Sequence, residues 1–471
     1  MPSPIADFNA LPNELILNII KHTNDIPTTV ESDVEREYSS DVEYEYLFEE
    51  FLVDANHRPP NVNNHLLNLS MVNHKLRSLV APFLFRNLIL RNTVESGTAI
   101  GLIARSGLTK HVRRLGFVGT SIVPIYDPKT RGTRELRDVE LPATVQQVLS
   151  NLDCFPALEG VDIWLALKQD SESGLSDYDG GVFRFFVDND IWPVLLDDVF
   201  LALTRNQPKA IKGLNLYNFI PILTRGHRRA EWHAFLGELS SFGMQLCADW
   251  DYVHNNWQFT DEVIANLWKP LRNIIHLSIA SGPQTILGPD DGRSIRPLLD
   301  LAHAPLPNLT SMAFDYIFVD DDLLKTLLAH TDTLRSVRMD HVFVPRFSRD
   351  SVGDYTHTTW AEFFTYLNDP LNPFSSLTDF EVLCTGDWNG IGMHTGRRQR
   401  AQDEERQRML EQGTPELRYC LQNYHPWGYI SEFDISEHED PDCIMDPRKD
   451  RLAYDLFMEK VKSNRTKLGI V

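Results

Sequence analysis

Cysteine is scarce and dispersed: five residues in 471, Cys154, Cys247, Cys384, Cys420 and Cys443, none closer than 23 positions to the next. There is no C-x-x-C pair and no His/Cys group at zinc-finger spacing, so the sequence predicts neither a disulfide framework nor a metal site. Basic charge is in deficit, with 45 Lys and Arg against 66 Asp and Glu and a net charge of −21. That balance excludes a nucleic-acid partner, because a phosphate backbone is met by a basic face. Long apolar runs are also missing. The richest, Leu79 to Leu90, is interrupted by Pro82, Arg86 and Asn87, short of the ~20 residues a bilayer-spanning helix needs, and no membrane partner is expected. The opening MPSPIADFNALPNEL lacks a basic stretch followed by an apolar one, so no secretory leader is expected and a reducing cytoplasmic or nuclear compartment fits best. The sequons at Asn68, Asn308 and Asn464 then read as chance. No G-x-S-x-G elbow, phosphate loop, dinucleotide glycine fingerprint or H-E-x-x-H occurs, so no catalytic residue and no cofactor is assigned.

What is present is a packed globular composition, 42% hydrophobic with 25 Phe, over a length that implies two or more units. Leu11-Pro12-Asn13-Glu14-Leu15 opens a helical pattern in which Leu11, Leu15 and Ile19 recur at four-residue steps, with Pro12 suited to the first turn. A second helical pattern starts at His65 and places Leu69, Val72, Leu76, Leu79 and Val80 on one stripe, until Pro82 should end or kink it. From periodicity alone this is a helical hairpin burying its own apolar face.

The order of residue types says more. LPNELILNII followed by LLNLSMVNHKLRSLVAPFLFRNL closely resembles the F-box, especially of fungal F-box proteins. The resemblance implies a three-helix module over residues 1–92 that docks on the Skp-family adaptor, and through it a cullin, in a cullin-RING (SCF-type) ubiquitin ligase. Carried over by position, the adaptor-facing residues are Leu11, Pro12, Leu15, Ile19, Leu69, Val72 and Leu76. An insert over 23–64 departs from the family. Residues 31 to 51 hold nine acids opposed only by Arg36, with Tyr44, Leu47, Phe48 and Phe51 at helical spacing. It reads either as a charged helical excursion or as a docking arm for a basic partner. Its length adds little closure entropy, roughly 0.6 kcal/mol per doubling, so the two halves can still meet.

Downstream, one phrase recurs: apolar-x-x-apolar-x-apolar, at Val112-Leu115-Phe117, Leu158-Val161-Ile163, Ile211-Leu214-Leu216, Ile274-Leu277-Ile279, Leu309-Met312-Phe314, Leu334-Val337-Met339 and Leu377-Phe380-Val382, with Ile430-Phe433-Ile435 as a possible eighth. It resembles the strand phrase of leucine-rich repeats. The steps of 46, 53, 63, 35, 25 and 43 residues leave room for helices at 144–151, 192–204, 230–242, 261–268, 322–330 and 359–368. The expected fold class is therefore mainly α with an α/β solenoid: the F-box-like module, then an irregular leucine-rich-repeat-like curved solenoid over 93–471 that binds a protein substrate. An irregular α/β domain with coincidental strand phrases is the competing reading. Asp170 to Gly181 reads as a loop. Residues 396 to 412 read as an exposed ion-pair helix, whose Arg397-Arg398-Gln399-Arg400 start is either an import signal or a solvated turn.

Side chains alternate along a strand, so Val161 and Ile163 facing inward would turn Gly160, Asp162 and Trp164 outward. The same parity exposes Tyr217, His276, Asp315, Arg338, Asp340 and Glu381. These seven positions, counting Trp164, are the candidate substrate-binding residues, with the two aromatics as anchors. The alternative is that a loop covers Trp164 and makes it core. His276 reads as a surface contact rather than a general base.

Overall fold

The structure is a computed structural model. It describes residues 64–122, 126–127, 132–133, 141–168, 191–206, 211–219, 224–246, 262–281, 301, 304, 306–319, 321–346, 359–371, 374–383, 417–421 and 447–470. Leu11, Pro12, Leu15 and Ile19, the acidic insert, the 170–181 loop, the 396–412 segment and the phrase at Ile430 lie outside the described residues. The chain divides into two compact units, Met1–Ser173 with Leu201–Leu214, and Gly174–Phe200 with Asn215–Val471.

In the first unit the apolar pattern from His65 forms two helices, α1 (Asn64–Val72) and α2 (His74–Leu84), rather than one. Asn73 makes the break: its backbone is extended and its side chain accepts from Leu76 N–H at 2.8 Å, capping α2. Pro82 does not end α2, which runs two residues further. In the last turn the proline forfeits a single intrahelical bond, and Phe85 N–H still reaches the Ala81 carbonyl at 3.0 Å. Leu66, Leu76 and Val80 form the core of this pair.

Three parallel strands follow in the same unit, β1 (Asn87–Arg91), β2 (Arg114–Ile122) and β5 (Gly160–Lys168), paired in that order. A short antiparallel pair, β3 (Tyr126–Asp127) with β4 (Gly132–Thr133), stands apart. The crossovers carry α3 (Val94–Ala104), capped by Thr93, and α4 (Ala143–Leu149). Gly97 lets these two helices meet, since a Cβ there would fall 2.5 Å from Thr144 Oγ1.

β6 (Gly213–Phe219) begins in the first unit and ends in the second, as α5 (Ile191–Leu203) does in the opposite direction. The second unit contains β7 (Ser241–Leu246), β8 (His276–Ala280), β9 (Ser311–Phe318), β10 (Ser336–Arg346) and β11 (Asp379–Leu383), all paired parallel in sequence order, with β12 (Arg418–Leu421) parallel to the far end of β10. Parallel strands need long crossovers, and these hold α6 (Ala230–Leu236), α7 (Asp321–Leu328) and α8 (Trp360–Asn368). Ile264–Trp268 forms a π-helical turn where a regular helix was expected. Trp232, Trp268 and Trp360 are fully buried.

The last helix, α9 (Pro447–Lys467), packs on α8 and was not anticipated. Phe364 meets Tyr454 and Phe457 edge-on or tilted, with ring centroids 5.2 and 5.9 Å away. Asp450 accepts from Ala361 N–H at 2.8 Å, satisfying the first turn of α8, and the buried Asn464 amide donates to the carbonyls of Phe374 and Leu377.

The fold is α/β, built on all-parallel pairing with helical crossovers. This overturns the expected mainly-α chain, with its three-helix module and leucine-rich-repeat-like curved solenoid. The physical reason is that the recurring phrase records a buried parallel strand and nothing longer. Steps from 25 to 63 residues mean that no unit of fixed length recurs.

Candidate functional site

Register places the second unit's strands in rows. Reading across β8, β9, β10 and β11, one face presents His276-Ser311-Ser336-Asp379, then Ser278-Ala313-Arg338-Glu381, then Ala280-Asp315-Asp340-Leu383. His276, Ser278, Arg338, Asp379 and Glu381 are exposed, whereas the alternate residues Leu277, Ile279, Met312, Phe314, Val337, Met339, Phe380 and Val382 are buried. The expected alternation holds in the first two rows, and five of the candidate residues, His276, Asp315, Arg338, Asp340 and Glu381, share one face; in the third row Asp340, expected to be exposed, is buried beside His341.

At the third row the two central strands kink together. Pairing runs to Asp340↔Asp315, skips one residue on each strand and resumes at Val342↔Ile317. The skipped residues, Tyr316 and His341, have φ of 53° and 47°. A left-handed backbone costs a residue with a side chain roughly 1–2 kcal/mol, and such strain concentrates at functional positions. Their rings stack 4.4 Å apart and 4° from coplanar. The kink turns the imidazole toward both carboxylates: Nδ1 of His341 lies 3.0 Å from Asp315 Oδ1 and 3.3 Å from Asp340 Oδ1. Arg338 Nη2 reaches the other oxygen of Asp340 at 3.4 Å. His341 and Asp340 are buried, while Asp315 is half-buried and opens the cluster to solvent. Asp315, Asp340 and His341 each offer a ligand atom, all within 4.8 Å of one another. The cluster also lies where β10 changes partner from β11 to β12, at the middle of that strand. The sequence reading picked Asp315, Arg338 and Asp340 but passed over His341. The signal available was Asp340-His341 directly behind the Leu334-Val337-Met339 phrase.

Of the two aromatic anchors, Trp164 is not exposed. Trp164 is buried at 6% exposure in the first unit. Its indole lies over Gly116 in the neighbouring strand, where a Cβ would come within 2.3 Å of the ring. Asp162, expected to face out, is buried as well and paired with the Arg114 guanidinium through both carboxylate oxygens. Parallel sheets are commonly covered on both faces, and here the cover makes Trp164 a packing residue. Tyr217 is half-buried in the second unit.

On the helix pair, Val72 is 63% exposed, Leu69 is half-buried and Leu76 belongs to the core. Leu67 and Met71, not singled out from sequence, are exposed beside Val72.

One further polar group is deeply buried. His227, beside α6, accepts from Thr224 N–H through Nδ1 at 3.0 Å, and Thr224 in turn contacts the Asp197 carboxylate. Phe200, Phe219 and Trp232 surround the imidazole, and Nε2 has no hydrogen-bond partner among the described residues. Burial lowers its pKa to about 3, so the ring is neutral and acts in packing and turn closure.

No protein-family model matches the chain, and no curated protein matches it. Among the described residues no helix is long and apolar enough to cross a membrane.

Proposed function

We propose that this chain is a substrate-recognition subunit of a cullin-RING ubiquitin ligase. The observation that carries the reading is surplus apolar surface on a small helix pair. Leu66, Leu76 and Val80 satisfy its core, while Leu67, Met71 and Val72 remain exposed on α1, in the segment whose residue order resembles the F-box. Apolar side chains beyond a module's own core are what a partner covers, and the Skp-family adaptor is that partner here. The polar, mixed-charge face of the second unit, with His276, Arg338 and Glu381 exposed, is suited to hold the protein to be modified. The chain then needs no reacting group of its own: it raises the local concentration of a substrate lysine beside the charged conjugating enzyme. Action in the cytoplasm or nucleus follows from that role.

The test is co-elution of the full chain with a purified Skp-family adaptor. Met71→Glu with Val72→Glu should abolish the complex, since burying an unpaired carboxylate costs several kcal/mol, and should leave the folded signal unchanged because both side chains are exposed. Absence of a complex with the unaltered chain would instead support an interaction scaffold working outside any ligase.

A further inference from the structure

We infer that Asp315, Asp340 and His341 form a binding site for one divalent transition-metal cation, Zn²⁺ or Mn²⁺. The inference rests on the geometry of the β9–β10 kink and does not depend on the ligase reading.

Two carboxylates converge on one imidazole nitrogen, at 3.0 and 3.3 Å. Three potential ligand atoms from two adjacent strands thus converge on one place. Atoms bound to a common cation at about 2.1 Å stand about 3.0 Å apart in adjacent octahedral positions and about 3.4 Å apart in a tetrahedron. The observed separations, 3.0 and 3.3 Å, lie in that range, and all three ligand atoms lie within 4.8 Å of one another. Arg338 contacts Asp340 through its other oxygen, so Oδ1 of each aspartate is the atom turned toward Nδ1 of His341.

Ligand chemistry selects the class. One imidazole with two carboxylates and no thiolate suits Zn²⁺ or Mn²⁺, whereas Mg²⁺ and Ca²⁺ prefer all-oxygen sets. The stacked Tyr316 ring fixes the plane of His341, the role outer-shell partners play in metal sites. Half-buried Asp315 leaves a path for the ion, and three protein ligands leave coordination positions for water or for an acidic group of a bound partner. The two left-handed residues then have a purpose, since only the kink brings positions 315, 340 and 341 into convergence.

The experiment is titration of the chelator-stripped full chain with Zn²⁺, and separately with Mn²⁺, by calorimetry. One equivalent should bind. Asp315→Asn with Asp340→Asn should weaken that binding by about a hundredfold or more, given that loss of an outer-shell partner alone costs about 10–100-fold. His341→Asn should weaken it comparably while keeping the fold, because asparagine tolerates the left-handed backbone. No binding by the unaltered chain, or binding unchanged in both variants, overturns the inference. X-ray absorption on the unaltered, Zn²⁺-loaded chain supplies a readout independent of the variants. A shell of one imidazole and otherwise oxygen is expected, and a sulfur ligand or a second imidazole would place the ion elsewhere.

Discussion

Acid should destabilise this protein well above the pH at which its carboxylates titrate, and His227 is one group that produces the effect. Its pKa falls from an ordinary 6.5 to about 3, chiefly because burial disfavours the charged ring. Between those values the unfolded chain binds a proton that the folded chain does not, so stability is full above 6.5 and declines as pH falls toward 3. For one such group the loss between about pH 7.5 and about pH 5 is about 2 kcal/mol, a large share of the roughly 5–15 kcal/mol that holds a typical domain. His330, also pushed down by burial, adds a loss of the same sign. The assay is urea unfolding of the full chain at the two pH values, followed by tryptophan fluorescence, beside a His227→Phe variant. Phenylalanine fills the ring's place among Phe200, Phe219 and Trp232 but cannot titrate. It also leaves Thr224 N–H without its acceptor, which costs about 1–3 kcal/mol at either pH. The variant should therefore start weaker and lose about 2 kcal/mol less on acidification. Equal acid sensitivity in the two proteins would refute the assignment of a buried neutral imidazole.

Trp164→Ala should lower the melting temperature of the first unit, with a loss of about 3–5 kcal/mol expected for a buried indole; Gly116→Ala, which drives a methyl into that indole, should cost about 1–3 kcal/mol by the same thermal assay. Asn464→Ala should destabilise the second unit by about 1–3 kcal/mol in chemical denaturation, because two buried carbonyls lose their donor. An unchanged transition midpoint in any of these variants would count against the packing described.

Strand positions were legible because each phrase encodes local burial. Val112, Ile274, Leu309 and Leu334, which open their phrases just ahead of β2, β8, β9 and β10, are all fully buried. Two of the strands overlooked carry the phrase as well, as Phe85-Leu88-Leu90 for β1 and Leu239-Phe242-Met244 for β7. They were hidden by apolar neighbours that fit a helical stripe equally well, an ambiguity that periodicity over short runs cannot resolve. Helix α9 escaped notice for the opposite reason. Its sequence is strongly charged, and the apolar stripe that buries Tyr454, Phe457 and Val461 is narrow.

The face of the sheet was legible in the second unit and misread in the first, and the difference lies in single residues. Arg338 and Glu381 sit in a row with Ser278 and Ala313 and are exposed. The equivalent level of β2 holds Gly116, whose missing side chain leaves a groove that the Trp164 indole fills. Strand parity fixes which residues share a face, but whether that face meets solvent depends on what long-range packing lays across it. The Asp315–Asp340–His341 cluster was still less accessible to parity. In an unkinked pair His341 would alternate to the face opposite Asp340, and a two-residue periodicity keeps the two apart by construction. Only the matched left-handed turns at Tyr316 and His341 bring the imidazole to its carboxylates, and a distortion that both strands share in register couples the geometry of the site to the point where β10 trades β11 for β12.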